Sequence, residues 1–133
     1  MRSQVTPKTL RRLVAADGYM ALNMPERAFS ELEKVQDAGP LEGPRRLLMG
    51  LALKRTSELE DAIPHLETAA RLMPSPARRF AWSELVSCYR CSGSDELADL
   101  AETLGGDREY ELRIALPNGE LNIVSTEAAA EMI

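Results

Sequence analysis

Two stretches of this chain repeat each other at a fixed distance. Ala16 is followed 34 residues later by Gly50, Tyr19 by Leu53, Ala28 by Ala62, Leu32 by Leu66 and Pro40 by Pro74. Each pair holds a similar residue type, and five matches at one offset exceed what chance supplies. A fixed period of this length marks an array whose units cannot bury their apolar faces alone and therefore stack. Ala16, Gly50, Ala28 and Ala62 are small enough to let two helices approach closely, while Tyr19, Leu53, Leu32 and Leu66 fill the gaps between neighbouring pairs. Composition agrees. The chain is 44% apolar but only 5% aromatic, and its alanine and leucine favour helix.

A third copy follows, shifted by two residues. Trp82, Leu85 and Tyr89 have the spacing W-x2-L-x3-Y, and Ala98 stands nine residues after Tyr89, as Ala28 stands after Tyr19 and Ala62 after Leu53. Over residues 7 to 106 the pattern resembles the tetratricopeptide repeat (TPR), a helix–turn–helix unit of 34 residues. Arg12 and Arg46 replace the tryptophan in the first two copies. The third has Val86 at the small position, Glu102 at the late apolar position and no closing proline. The expected fold is mainly α: three TPR-like helix pairs over residues 1–106, then a β-hairpin and short helix over 107–133, all in one globular unit.

Local signals place the helix boundaries. Thr6-Pro7 reads as an N-cap followed by proline at the first helical position, and Gly43-Pro44 could do the same for the third helix. Pro25 opens the second helix, Gly39-Pro40 closes it, and Ser94 with Asp95 and Glu96 opens the sixth. Pro64 falls inside the fourth helix, which predicts a late start near Asp61 or a kink. After Gly105-Gly106 the period changes to two. Tyr110, Leu112, Ile114 and Leu116 face one way, Glu111 and Arg113 the other, and Asn118-Gly119 reads as a hairpin turn. The expected loop has two or four residues. Pairing Leu116 with Leu121 sets Ile114 against Ile123 and Leu112 against Ser125, giving one apolar face. Thr126 caps the final EAAAEMI. A lone hairpin is marginal in water, so its apolar face should cover the last helix pair; pairing with another chain, as a homodimer or an edge-strand complex, is the alternative.

The resemblance also implies a function. TPR arrays bind proteins or peptides in a concave groove lined by the first helix of each pair. By register the groove residues are Leu13, Asp17 and Met20, then Leu47, Leu51 and Lys54, then Phe80, Ser83, Ser87 and Arg90. The Lys, Asn and Arg set that clamps a C-terminal carboxylate in one well-known groove type is replaced here by Leu13, Asp17, Leu47 and Leu51, so that specificity is not expected. Arginine pairs recur as Arg11-Arg12, Arg45-Arg46 and Arg78-Arg79. In a first helical turn each opposes the dipole by roughly 0.3–1 kcal/mol. They either pair with acids such as Glu33, Asp37 or Glu67, or form a basic edge for an acidic partner segment.

Other chemistry is thin. Cys88 and Cys91 form a C-x-x-C, but a structural zinc needs four ligands and there is no second cysteine pair. Tyr89 between them is a packing residue, and the pair falls at a helix C-terminus, where the dipole does not lower a thiol pKa. His65, the single histidine, is expected on an exposed helix face. The run Glu58-Leu-Glu60-Asp61 suits a helix start, and Gly105-Gly106 lacks the helix and lysine of a phosphate loop. No catalytic set and no cofactor site is expected. A net charge of −5 and a pI near 5.0 argue against general nucleic-acid binding. No apolar run reaches the roughly 20 residues of a membrane span, and a cytoplasmic location is the default. The sequence therefore points to a protein-binding adaptor or assembly subunit. The alternatives are a bacterial secretion-type chaperone, a protein self-associating through the hairpin, and an enzyme or metal protein built on Cys88 and Cys91.

Overall fold

The computed structural model describes residues 5–106 and 111–126. Six α-helices run as three consecutive pairs: α1 (Pro7–Ala21) with α2 (Pro25–Glu33), α3 (Glu42–Arg55) with α4 (Leu59–Leu72), and α5 (Arg78–Cys91) with α6 (Asp95–Gly105). Each helix packs mainly on its neighbours in sequence, so the arrangement is repeat-like. A hairpin of β1 (Glu111–Leu116) and β2 (Gly119–Val124) follows. No helix among the described residues is long and apolar enough to cross a membrane. The short helix expected after Thr126, and Tyr110 expected on the hairpin's apolar face, lie outside the described residues.

The repeat is most visible in the turn inside each pair. In the first, the Asn23 N–H donates to the Met20 carbonyl and the Met24 N–H to the Tyr19 carbonyl. Ser57 and Glu58 do the same to Lys54 and Leu53, and Gly93 and Ser94 to Arg90 and Tyr89. These are the paired bonds of a Schellman C-cap. It needs one residue at positive φ, and Asn23, Ser57 and Gly93 have φ of 57°, 65° and 80°. The turn then delivers the chain to Ala28, Ala62 and Ala98, each fully buried. Gly50 shows why small residues are required: a Cβ there would come within 2.6 Å of Leu66. Leu13, Leu32, Leu47, Leu66 and Leu85 are fully buried, each contributing about 1.5–3 kcal/mol by removal from water.

Thr6 caps α1 as expected, its Oγ1 accepting the Thr9 N–H at 3.1 Å. Other boundaries differ. α2 ends at Glu33, well before Gly39-Pro40, which instead begin a 3-10 turn, Gly39–Leu41. That turn leads straight into α3 at Glu42, so Gly43-Pro44 are already helical. α4 starts at Leu59 and runs through Pro64. Proline removes one helical N–H, whose acceptor would be the Glu60 carbonyl. Both residues are exposed, so water can take that carbonyl.

The hairpin has the two-residue loop, Pro117-Asn118, and its register follows: Leu116 opposite Gly119, Ile114 opposite Leu121, Leu112 opposite Ile123. The pairing read from sequence is thus two residues out. Because the side-chain period is two, the apolar face is the same in both registers.

Serine lacks the left-handed tolerance of Asn or Gly. Ser57→Gly is therefore expected to raise stability by up to about 1 kcal/mol, read as a higher urea midpoint at unchanged slope, whereas Asn23→Ala should lower it.

Candidate functional site

The face formed by α1, α3 and α5 is where the resemblance puts a binding groove. It is largely occupied by the chain itself. β2 packs on α1, and this is the main contact between hairpin and helices. The expectation that the hairpin covers the last helix pair is thereby corrected. Leu121 and Ile123 are 0% and 1% exposed. In a two-residue hairpin the pair beside the loop is hydrogen-bonded and bonded pairs alternate. Arg113 opposite Asn122 is then a non-bonded pair, and the Asn122 N–H points away from β1. It meets Asp17 Oδ2 at 2.9 Å. Burial pushes the Asp17 carboxyl up, and the bond from Asn122 opposes that shift.

A second polar contact holds the segment after β2. Lys54 of α3 and Glu84 of α5 form an ion pair at 3.0 Å, with side chains only 5% and 3% exposed. The Lys54 ammonium also donates to the Glu84 carbonyl at 2.9 Å, and the Thr126 hydroxyl donates to Glu84 Oε1 at 2.7 Å. A buried charge is tolerated only when paired and hydrogen-bonded. Lys54, expected to meet a partner, is instead structural.

The other groove positions divide in two. Leu13, Met20, Leu47, Leu51 and Phe80 are all at most 5% exposed and belong to the core. Ser87 and Arg90 are exposed, and Asp17 and Ser83 are half-buried. Ser83 backs onto Gly105, where a Cβ would come within 2.6 Å of its Oγ. Arg90 reaches Asp99 and Glu102, each at 3.1 Å. Beside β2 a cavity of about 330 Å³ remains, lined by Asp17, Gly18, Met20, Leu48, Leu51, Arg55 and Ile123 among others. Its walls are mostly apolar, with one carboxylate and one guanidinium. Arg55 donates from Nη1 to the Met20 carbonyl, while its buried Nε has no hydrogen-bond partner among the described residues.

The arginine pairs form no single ladder. Arg12 meets Glu31 at 3.1 Å, Arg45 and Arg46 both meet Glu42, and Arg45 also donates to the Leu32 carbonyl. Arg78 donates to the Met73 carbonyl. Arg11, Arg78 and Arg79 are exposed. The acids are Glu31 and Glu42, not Glu33, Asp37 or Glu67; Glu67 accepts from the Tyr89 hydroxyl at 2.6 Å. Only Arg78 and Arg79 stand in a first turn, because α3 begins early enough to put Glu42 ahead of Arg45 and Arg46.

Cys88 is buried and Cys91 exposed. Burial pushes the Cys88 thiol up, away from the reactive thiolate. Among the described residues no group of three or more His, Cys, Asp or Glu could hold a metal. His65 is not an exposed residue. It is half-buried, 5.9 Å from the Phe29 ring in an edge-on contact, with Nδ1 3.0 Å from Arg46 Nη1. The guanidinium must donate, so Nδ1 is the acceptor and the ring is neutral. Burial and the two arginines hold its pKa below the ordinary value.

Comparison of the chain with protein-family models, with curated proteins and with solved structures gave no match.

Lys54→Met should destabilise by about 3–5 kcal/mol, because Glu84 keeps its charge in the core without its hydrogen-bonded ammonium partner. Lys54→Met combined with Glu84→Leu should recover most of that loss in denaturant unfolding. His65 gives a pH signature. Its folded pKa is depressed, so its contribution is complete above the ordinary value near 6.5 and is lost as pH falls below it. Between about pH 7 and about pH 5 the wild type should lose more thermal stability than His65→Gln.

Proposed function

We propose that this chain is a TPR-like polypeptide-binding module, an adaptor or assembly subunit, and that its partner enters the cavity between α1, α3 and β2. The observation carrying the reading is that cavity. It lies on the face where β2, an extended segment, is already held by apolar burial at Leu121 and Ile123 and one backbone bond to Asp17. An extended partner segment needs the same two things: apolar wall for affinity and a few placed polar groups for orientation. Met20, Leu48, Leu51 and Ile123 provide the wall. Asp17 and Arg55 provide the polar groups. Of the buried groove positions, Leu13, Leu47 and Phe80 do not line the cavity and do not touch the partner.

Gly18 offers a clean test. It lines the cavity, and a Cβ there meets nothing within 4 Å. Gly18→Trp should fill the cavity without disturbing the core, and should leave thermal stability equal or higher, since glycine inside a helix costs about 1 kcal/mol. In a quantitative pull-down with wild-type and Gly18→Trp baits, the partner should be lost from the variant. A partner retained equally by both would reject the cavity as the binding site.

A further inference from the structure

The hairpin leaves one edge open. β1 and β2 make a two-stranded sheet, and among the described residues no strand lies on the outer side of β1. Bonded pairs alternate from the loop: Leu116 with Gly119, Ile114 with Leu121, Leu112 with Ile123. The backbone N–H and C=O groups of Glu111, Arg113 and Ala115 therefore point away from β2. Among the described residues no other backbone bond takes them. The outer edge of β2 is partly used, because Asp17 accepts the Asn122 N–H. β1 has nothing comparable. Its interior holds no proline, its register runs without a bulge, and its inward side chains are all apolar. Of the devices that close a free edge, only outward charge is present, at Glu111 and Arg113. Burial shows the same gap. Leu121 and Ile123 are fully buried, whereas Leu112, Ile114 and Leu116 on the same face of the hairpin are only half-buried.

A row of free backbone groups is completed by another strand, and the two charges specify which one. A twofold antiparallel pair must set odd positions of β1 against odd positions, since only these carry free groups. Centred on Glu111 or on Arg113, like charges would meet, which destabilises a strand pair. Centred on Ile114, Arg113 would face Ala115. Centred on Leu112, Glu111 faces Arg113 of the second copy, and Arg113 faces its Glu111. Leu112 then meets Leu112 in a non-bonded pair, where side chains come closest. Within one chain Arg113 already contacts Glu111, so four charges would alternate around the axis. We propose that β1 pairs with β1 of a second copy in this register, joining two hairpins into one four-stranded antiparallel sheet. A twofold interface has to be complementary to itself, and this strand is. A strand of unrelated sequence would gain the backbone bonds but not the reciprocal charge pairs. The pairing does not rest on the cavity reading. The free edge lies on the opposite side of the hairpin from Asp17, so the dimer would carry two open cavities and hold a bivalent partner more tightly than one chain could.

Sedimentation equilibrium on the full chain tests this. Wild type should show a monomer–dimer equilibrium, a weak one, because so short a strand pair buries less than the roughly 1,200 Å² of a standard interface. Arg113→Glu and Glu111→Arg each turn both charge pairs repulsive, and each should weaken self-association about tenfold or more. Mixed in equal amounts, the two variants should associate with each other, since one then offers two acids where the other offers two arginines. The double variant Glu111→Arg/Arg113→Glu should self-associate like wild type, and Gly18→Trp should leave the dimer unchanged. Both positions are exposed, and circular dichroism verifies that each variant folds. A wild type that stays monomeric up to about 1 mM would overturn the proposal and leave the edge to a strand of another protein. A dimer indifferent to both single substitutions would place the interface elsewhere. Single variants that fail to associate on mixing would reject the register, because only the contact between chains is restored by mixing.

Discussion

The Lys54–Glu84 pair ties together parts of the molecule that otherwise have little reason to stay in place. α3 and α5 belong to different helix pairs, and in a stacked array they are not immediate neighbours in sequence order. A buried ammonium and carboxylate cannot separate without leaving a charge in the core, so the two helices are held in one relative position. Thr126 adds the segment after β2 to the same point. At the far side of this face, Asp17 takes the Asn122 amide. Between these two polar anchors the apolar side of β2 has one place to go. Hydrophobic burial supplies the attraction, and the two anchors supply position, because a non-directional force alone would let the hairpin slide.

With the hairpin on the α1 side, the end of the stack has to be finished otherwise. Leu59, Ile63 and Leu66 of α4 pack into the core, and Glu67 beside them bonds Tyr89 of α5. Their counterparts in α6 are Asp95, Asp99 and Glu102, all exposed. The glutamate that breaks the repeat pattern at position 102 is thus a solubilising substitution on the terminal face. A further helix pair would find no apolar surface there. The exposed Leu97, Leu100 and Leu104 lie on the opposite side of α6 from these acids.

Much of this was legible in the sequence. The 34-residue offset, the alanines at 28, 62 and 98, the Thr6 cap and the change to period two after Gly106 all act through local geometry or through strict packing, and both leave periodic traces. The hairpin register was half legible, since its parity follows from alternation while its slip depends on the loop. The site was less legible. Leu13, Leu47 and Phe80 looked like groove residues because register alone cannot say which positions on these helices are buried in the core. Glu84 and Arg55 were missed. Glu84 did leave a signal: the offset aligns it with Leu48, an apolar position, and a lone acid there implies a buried counter-ion. Arg55, one residue from Lys54, left none. His65 appeared exposed because its burial comes from Phe29 and Arg46, neither of which is close in sequence.

The return of β2 to α1 also changes how such an array behaves as it is made. Helix pairs that touch only their neighbours can settle one after another as they leave the ribosome. Here the first helix stays incomplete until residues 119–124 have emerged, more than a hundred positions after Asp17 was synthesised. The part of α1 that β2 covers stands bare until then. That long-range contact therefore forms after the helix pairs have settled, and during that interval a nascent chain would present part of α1 to whatever binds exposed apolar surface first.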